Sequence, residues 1–173
     1  PLLPIDEYTE SQPDTSRYEK GIKNQKNFPY DLDMLSRLNR NKRNYSVLKY
    51  TPFGDTYVKD FAITAILEEG LGKDDITDMI TISFSVLDFI GHAFGPNSVE
   101  MEDALLVLDR DLAHLLDFLE DTFGKENILV YLTAAHGVSA SPELLDSKGL
   151  ATGKFASLKA ISLLKSYLNV TYG

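Results

Sequence analysis

Two short apolar runs bracket a long amphipathic segment, and this arrangement constrains the fold more than any other feature of the chain. The runs are Asp78-Met79-Ile80-Thr81-Ile82-Ser83-Phe84-Ser85 and Asn127-Ile128-Leu129-Val130-Tyr131-Leu132-Thr133. Both are β-prone and too continuously apolar for a strand with one wet face, so they read as buried parallel strands. Between them Met101, Leu105, Leu108, Leu112, Leu115 and Leu119 recur at helical spacing. Asn97, with Glu100 three residues later, is placed to open that helix, and Gly124 to close it. Strand, helix, strand in this order is a right-handed crossover unit. The expected fold class is therefore α/β, a portion of a parallel sheet flanked by helices.

Two further helical patterns flank this unit. Val58, Phe61, Ala62, Ala65 and Ile66 share one face, with Gly70 placed as the stop. From about Lys154, Phe155, Leu158, Ile161, Leu164 and Tyr167 or Leu168 form the expected buried face of a last helix. The first 56 residues differ, being rich in Pro, Asn, Asp, Lys and Arg, with short apolar pieces at Met34-Leu35 and around Tyr45-Ser46-Val47-Leu48. That composition predicts irregular structure needing a partner surface for order, and Asn39-Arg40-Asn41-Lys42-Arg43-Asn44 reads as a solvated loop. The expected organisation is residues 1–56 as an irregular, surface-rich segment and 57–173 as the α/β core segment of a larger domain.

Composition excludes several classes of function. Lys and Arg number 17 against 26 Asp and Glu, a formal charge of -9 without a concentrated basic face, which argues against nucleic-acid binding. The chain has no cysteine, so a metal would have to be held by His and carboxylates. No apolar run approaches the roughly 20 residues needed to cross a bilayer, and PLLPIDEY lacks a signal-peptide pattern. A start at Pro1 reads as part of a longer polypeptide whose targeting segment would lie upstream.

Ligands in open α/β sheets gather at the carboxyl ends of the strands, and two candidate sites fall there. Asp88-Phe89-Ile90-Gly91-His92 places a carboxylate and an imidazole four residues apart. If the backbone between them makes a helical turn, both can point at one cation, and Gly91 leaves room for a substrate. An ordinary Asp-His contact is the plain alternative. Thr133-Ala134-Ala135-His136-Gly137 places His136 just past the second run, where a structural histidine is the plain alternative. His114 lies inside the long helix and receives no role. Ser83 and Ser85 lack a nucleophile elbow and read as hidden strand hydroxyls. Asn169-Val170-Thr171 matches a glycosylation acceptor by pattern alone.

Taken together, Asp88-x-x-Gly91-His92-x-x-Gly95-Pro96, then Glu100 and Asp109, then Leu132-Thr133-Ala134-Ala135-His136-Gly137 resemble the type I phosphodiesterase/nucleotide pyrophosphatase group of the alkaline phosphatase superfamily. The run Leu48-Lys49-Tyr50-Thr51-Pro52-Phe53-Gly54-Asp55-Thr56, with Lys59-Asp60-Phe61-Ala62, is more specifically similar to bacterial single-chain alkaline phosphatases of the Bacteroidetes type. The likeness spans roughly residues 28 to 155. It implies an alkaline-phosphatase-like sheet and a hydrolase with two zinc ions, a Thr or Ser nucleophile and a phosphoryl-enzyme intermediate. Asp88 and His92 match two ligands of one zinc, and His136 a ligand of the other. The group has Asp immediately before that second His, whereas Ala135 stands here, and a methyl group cannot coordinate a metal. The nucleophile, the first Asp and a further His are expected outside these residues, so no catalytic residue is assigned and this chain alone is expected to be inactive.

The resemblance thus implies the partial site of a zinc-dependent phosphomonoesterase or phosphodiesterase, exported to the periplasm or secreted. The alternative is a degenerate, non-catalytic member that binds phosphate esters. Metal-dependent phosphoglycerate mutase, a third relative, is disfavoured by Thr51-Pro52-Phe53-Gly54. The expected partners are a small phosphate ester, no nucleic acid, no membrane, and other copies of the chain through exposed sheet edges.

Overall fold

A computed structural model describes every residue except Asn24, Arg40, Asn41 and Lys154, and the side chains of all but these and Leu38, Asn39 and Lys42. The chain divides into two compact units, Pro1–Ser139 and Ala140–Gly173.

In the first unit, α1 (Leu32–Ser36) leads into a short antiparallel pair, β1 (Arg37–Asn39) with β2 (Lys42–Arg43). A 3-10 turn over Tyr45–Tyr50 then hands the chain to α2 (Phe53–Glu68), followed by α3 (Val86–Ala93) and α4 (Val99–Phe123). The solvated loop expected at 39–44 overlaps this hairpin, and Arg40 and Asn41 lie outside the described residues. Two glycine stops are confirmed: Gly70 and Gly124 follow α2 and α4 with φ of +69° and +79°, a backbone that costs a side-chain-bearing residue steric strain.

The core is built by segments distant in sequence. Ile22, Leu35 and Val47 from the first 56 residues pack with Val86, Ile90, Ala93, Phe94, Met101 and Ala104, and Ile90 at its centre is 1% exposed. Burial of this kind stabilises by about 1.5–3 kcal/mol per large aliphatic side chain.

The parallel sheet expected from the sequence is not formed. Neither 78–85 nor 127–133 belongs to a ladder, and among the described residues the regular pairing is the β1–β2 hairpin. Nor are these runs buried as expected: Met79 is 88% exposed, Leu129 81% and Tyr131 86%. Strand propensity favours an extended backbone, which Ile128 adopts at φ -120° and ψ 144°. A ladder also needs a neighbour to take the N–H and C=O groups, and no described segment lies alongside either run. The crossover reading and its sheet edges fall with it, and Ser83 and Ser85 are exposed rather than hidden.

The helix faces are largely those expected, with Ala62 and Ile66 of α2 and Met101 and Leu115 of α4 buried, but each helix also turns charged residues inward and one apolar residue out. On α2 the buried residues are Asp55, Lys59, Ala62 and Ile66, while Phe61, assigned to the core by periodicity, is 66% exposed. Two polar joints cause this. Lys59 Nζ sits 3.1 Å from Asp111 Oδ1 on α4 and 3.0 Å from Asp60, and Thr56 Oγ1 donates to Asp111 Oδ2 at 2.6 Å. Burial works against the Lys59 charge, but Asp60 and Asp111 outweigh it and hold the ammonium above its usual range. On α4, Met101, Ala104, Asp111 and Leu115 face inward and Leu105 is exposed. That helix begins one residue later than expected, because Ser98 Oγ rather than Asn97 accepts from Met101 N at 3.2 Å.

The second unit holds α5 (Pro142–Ser147), with Ser141 accepting from Leu144 N, and α6 (Ser157–Tyr172). The apolar face expected to be buried on this last helix is not: Phe155, Leu158, Ile161, Leu164, Tyr167 and Leu168 are all exposed. Lys154, where the helix was expected to begin, lies outside the described residues. No helix among those described is long and apolar enough to cross a membrane.

Candidate metal and phosphate-ester site

The helical turn that the Asp88/His92 reading requires is α3. Its first turn is held from outside the helix. Asp55 on α2 accepts hydrogen bonds from Ser85 N at 3.1 Å and Val86 N at 3.3 Å, satisfying amide groups that a helix N-terminus leaves unpaired. Burial, and to a lesser degree Asp111, push the Asp55 carboxyl above its usual range despite these two donors.

One turn apart on α3, Asp88 Oδ1 and His92 Nε2 lie 3.3 Å from each other. Their alignment makes this a contact rather than a hydrogen bond, and Asp88 Oδ1 is buried with no donor. A buried carboxylate oxygen without a donor is costly, and an adjacent imidazole nitrogen makes the pair a fitting half-shell for a divalent ion.

His136 sits on the exposed segment after the second apolar run, with Nδ1 2.9 Å from the carbonyl oxygen of Gly137. That contact favours the proton on Nδ1 and leaves the Nε2 lone pair for a ligand. The segment is held against α3 by Val138, which packs on the core and fills the space over Gly91. A Cβ at Gly91 would stand 2.6 Å and 2.8 Å from the two Val138 methyl carbons and 3.1 Å from Met101 Cε. Glycine is required there because the chain bearing His136 passes directly over the turn between Asp88 and His92. Ala135 supplies no oxygen to this neighbourhood, so His136 is the one metal-ligating side chain within the 133–137 stretch. His114 approaches Lys59 Nζ at 3.1 Å.

Beside His92 opens a pocket of about 400 Å³, lined among others by Lys20, Lys23, Tyr50 and Phe89. Lys23 Nζ donates to the Leu35 carbonyl at 2.6 Å, and the Tyr50 and Phe89 rings meet edge to face at 5.8 Å. Neither Val138 nor this pocket wall was foreseen from the sequence. Gly91 between two candidate ligands was the available signal for the first, whereas the wall joins residues 20–23 to 89–93 and has no local signature.

A family model described as type I phosphodiesterase / nucleotide pyrophosphatase matches residues 8–169. The chain belongs to this family. It is 42% identical over 149 residues to alkaline phosphatase PhoV of Synechococcus elongatus, a match covering 85% of this chain and 26% of that protein. To alkaline phosphatase PafA of Elizabethkingia meningoseptica it is 41% identical over 156 residues, 89% of this chain and 28% of PafA. The crystal structure of wild-type PafA superposes with a TM-score of 0.79 at 38% identity, covering 97% of this chain and 32% of that one, and a mutant PafA structure gives 0.80 at 39%. The chain therefore spans between a quarter and a third of the length of these relatives.

Proposed function

We propose that the protein is a zinc-dependent phosphate ester hydrolase acting through a phosphoryl-enzyme intermediate, with Asp88 and His92 holding one ion and His136 the other. The observation that carries this reading is the donorless buried Oδ1 of Asp88 facing His92 Nε2 across one helical turn, with the His136 segment pressed on the same turn by Val138. When bound, zinc would acidify an attacking oxygen and stabilise a leaving one. The residues of this chain supply position. Asp55 fixes the start of α3, Gly91 admits the neighbouring segment, and the wall of Lys20, Lys23, Tyr50 and Phe89 offers cationic and aromatic surface to a small phosphate ester. No residue here is assigned as the nucleophile. Export to the periplasm or beyond fits this reading.

One observation favours a second reading, a non-catalytic phosphate-ester binding protein: the methyl group of Ala135 stands beside His136, where the resemblance implies a carboxylate. The deciding experiment is zinc-dependent hydrolysis of an aryl phosphate monoester and diester by the full-length polypeptide, as found and with Ala135→Asp. Turnover by the unmodified protein supports the hydrolase and names the preferred ester. Activity only after Ala135→Asp means that the site lacks this one ligand, and silence in both forms favours the binding protein.

A further inference from the structure

Apart from Asp88 and His92, three carboxylates from distant parts of the sequence converge at the start of α4. Asp14, Glu19 and Glu100 each bring an oxygen within 4.8 Å of the others. Glu19 and Glu100 are both 4% exposed, and Asp14 is half-buried. The polar contacts around them leave this cluster under-satisfied. Asp14 Oδ2 accepts from Phe28 N at 2.8 Å, Asn27 Nδ2 reaches Asp14, and the Tyr30 hydroxyl donates to Glu100 Oε1. Glu19 Oε2 and Glu100 Oε2 are buried with no hydrogen-bond partner.

Two buried carboxylate oxygens without donors, beside a third acid, form an arrangement that folding disfavours unless a positive charge or a proton enters it. Among the described residues the basic side chain acting on Glu19 is the exposed Lys26, and its influence is outweighed. Burial first, then Glu100 and Asp14, push the Glu19 carboxyl up to about 8. Burial likewise raises Glu100, against the hydrogen bond from Tyr30.

We infer that Asp14, Glu19 and Glu100 form a binding site for a hard divalent cation, calcium, distinct from the Asp88/His92 pair. Calcium takes oxygen ligands at about 2.3–2.6 Å, so oxygens on opposite sides of one ion lie roughly 5 Å apart, which the observed spread matches. An all-oxygen set with neither imidazole nor thiolate selects calcium or magnesium over zinc. The irregular disposition of a helix residue and two loop residues suits calcium, which tolerates varied geometry, better than magnesium, which demands an octahedron. The partial exposure of Asp14 leaves a side open for water ligands. An ion here would tie residues 14–19 to the first turn of α4.

Terbium(III), a luminescent stand-in for calcium, tests this on the full-length protein held saturated with zinc, because Tyr30 lies close enough to sensitise it. The expected result is tyrosine-excited terbium luminescence that calcium chloride displaces and magnesium chloride displaces less well. Calcium should also raise the unfolding temperature. Glu19→Gln keeps the shape and removes one charge, and should weaken calcium binding roughly tenfold or more, as should Asp14→Asn at the half-buried position. Luminescence that calcium does not displace, or that is undiminished in both variants, overturns the site. So does a Glu19→Gln protein that is more stable than the parent while calcium stabilises neither, since the cluster would then hold a proton instead of an ion. None of these readouts depends on phosphate ester hydrolysis.

Discussion

Replacing Gly91 by Ala tests whether the His136 segment is held where the structure places it. In the interior of α3, Ala is favoured over Gly by about 1 kcal/mol of helix propensity. Against this, the new Cβ would stand 2.6 Å and 2.8 Å from the two Val138 methyl carbons and 3.1 Å from Met101 Cε. Overpacking of this kind costs about 1–3 kcal/mol. The two terms nearly cancel in stability, so urea denaturation of the full-length protein should show a loss of roughly 0–2 kcal/mol. The larger effect should be on position. Val138 lies on a segment without regular structure, and the easiest relief is for residues 136–138 to lift from α3. Zinc affinity, followed by competition with a chromogenic chelator, should therefore fall by more than the stability loss implies. Gly91→Ala combined with Val138→Ala removes both methyl carbons that clash and should recover most of that affinity. A single variant that is about 1 kcal/mol more stable than the parent, with zinc binding intact, would refute the argument, because propensity would then be acting with no steric opponent.

Two other joints carry definite expectations. Lys59→Met removes the cation that Asp111 faces in the interior and should cost about 3–5 kcal/mol in denaturant unfolding. Adding Asp111→Leu should return much of that loss, and additive losses in the double variant would show that the two residues are not coupled. The Tyr8 hydroxyl donates to Asp103 Oδ1 at 2.5 Å, and Tyr8→Phe should cost about 1.5–3 kcal/mol at neutral pH, as for a hydrogen bond to a charged group. Burial first, and then the Asp103 hydrogen bond, raise the Tyr8 phenol to about 12. A pKa raised on folding means that the native state holds the proton more tightly. This stabilisation is complete below the unfolded value near 10 and is lost as pH climbs through 12. The gap between parent and Tyr8→Phe should therefore narrow in strongly alkaline solution, and a gap independent of pH would remove the hydroxyl from the explanation.

Helix ends were legible in the sequence because their causes are local. Gly70 and Gly124 stop helices through backbone angles that other residues reach at a cost, and no distant partner is needed. Helix faces were legible only in part. Counting apolar residues placed Phe61 inside and passed over Lys59 and Asp55. Their burial depends on Asp111 and on the amides of Ser85 and Val86, dozens of residues away. Periodicity records which side chains avoid water, but a charged residue with a distant partner leaves no periodic trace. The two β-prone runs failed differently. Their extended tendency is genuine, but pairing is a property of two segments, and propensity describes one at a time.

The same distinction explains why half of the candidate site could be read early and half could not. Asp88 and His92 are four residues apart, so a helical turn suffices to bring them together, and α3 supplies that turn. The segment that carries His136 meets the same turn through Val138 over Gly91, a contact spanning 47 residues that rests on the absence of a side chain. The carboxylate cluster is more distant still. Nothing within Asp14, Glu19 or Glu100 marks it, and it exists only because residues 14–19 fold under Ser98 and the first turn of α4. In both places the proposed ion rests on buried oxygens without a hydrogen-bond partner, Asp88 Oδ1 at one and Glu19 Oε2 and Glu100 Oε2 at the other. The donor sets then separate the ions: an imidazole beside a carboxylate favours zinc, and carboxylates alone favour calcium. A protein with both sites would respond to the two metals independently, calcium acting on stability and zinc on chemistry.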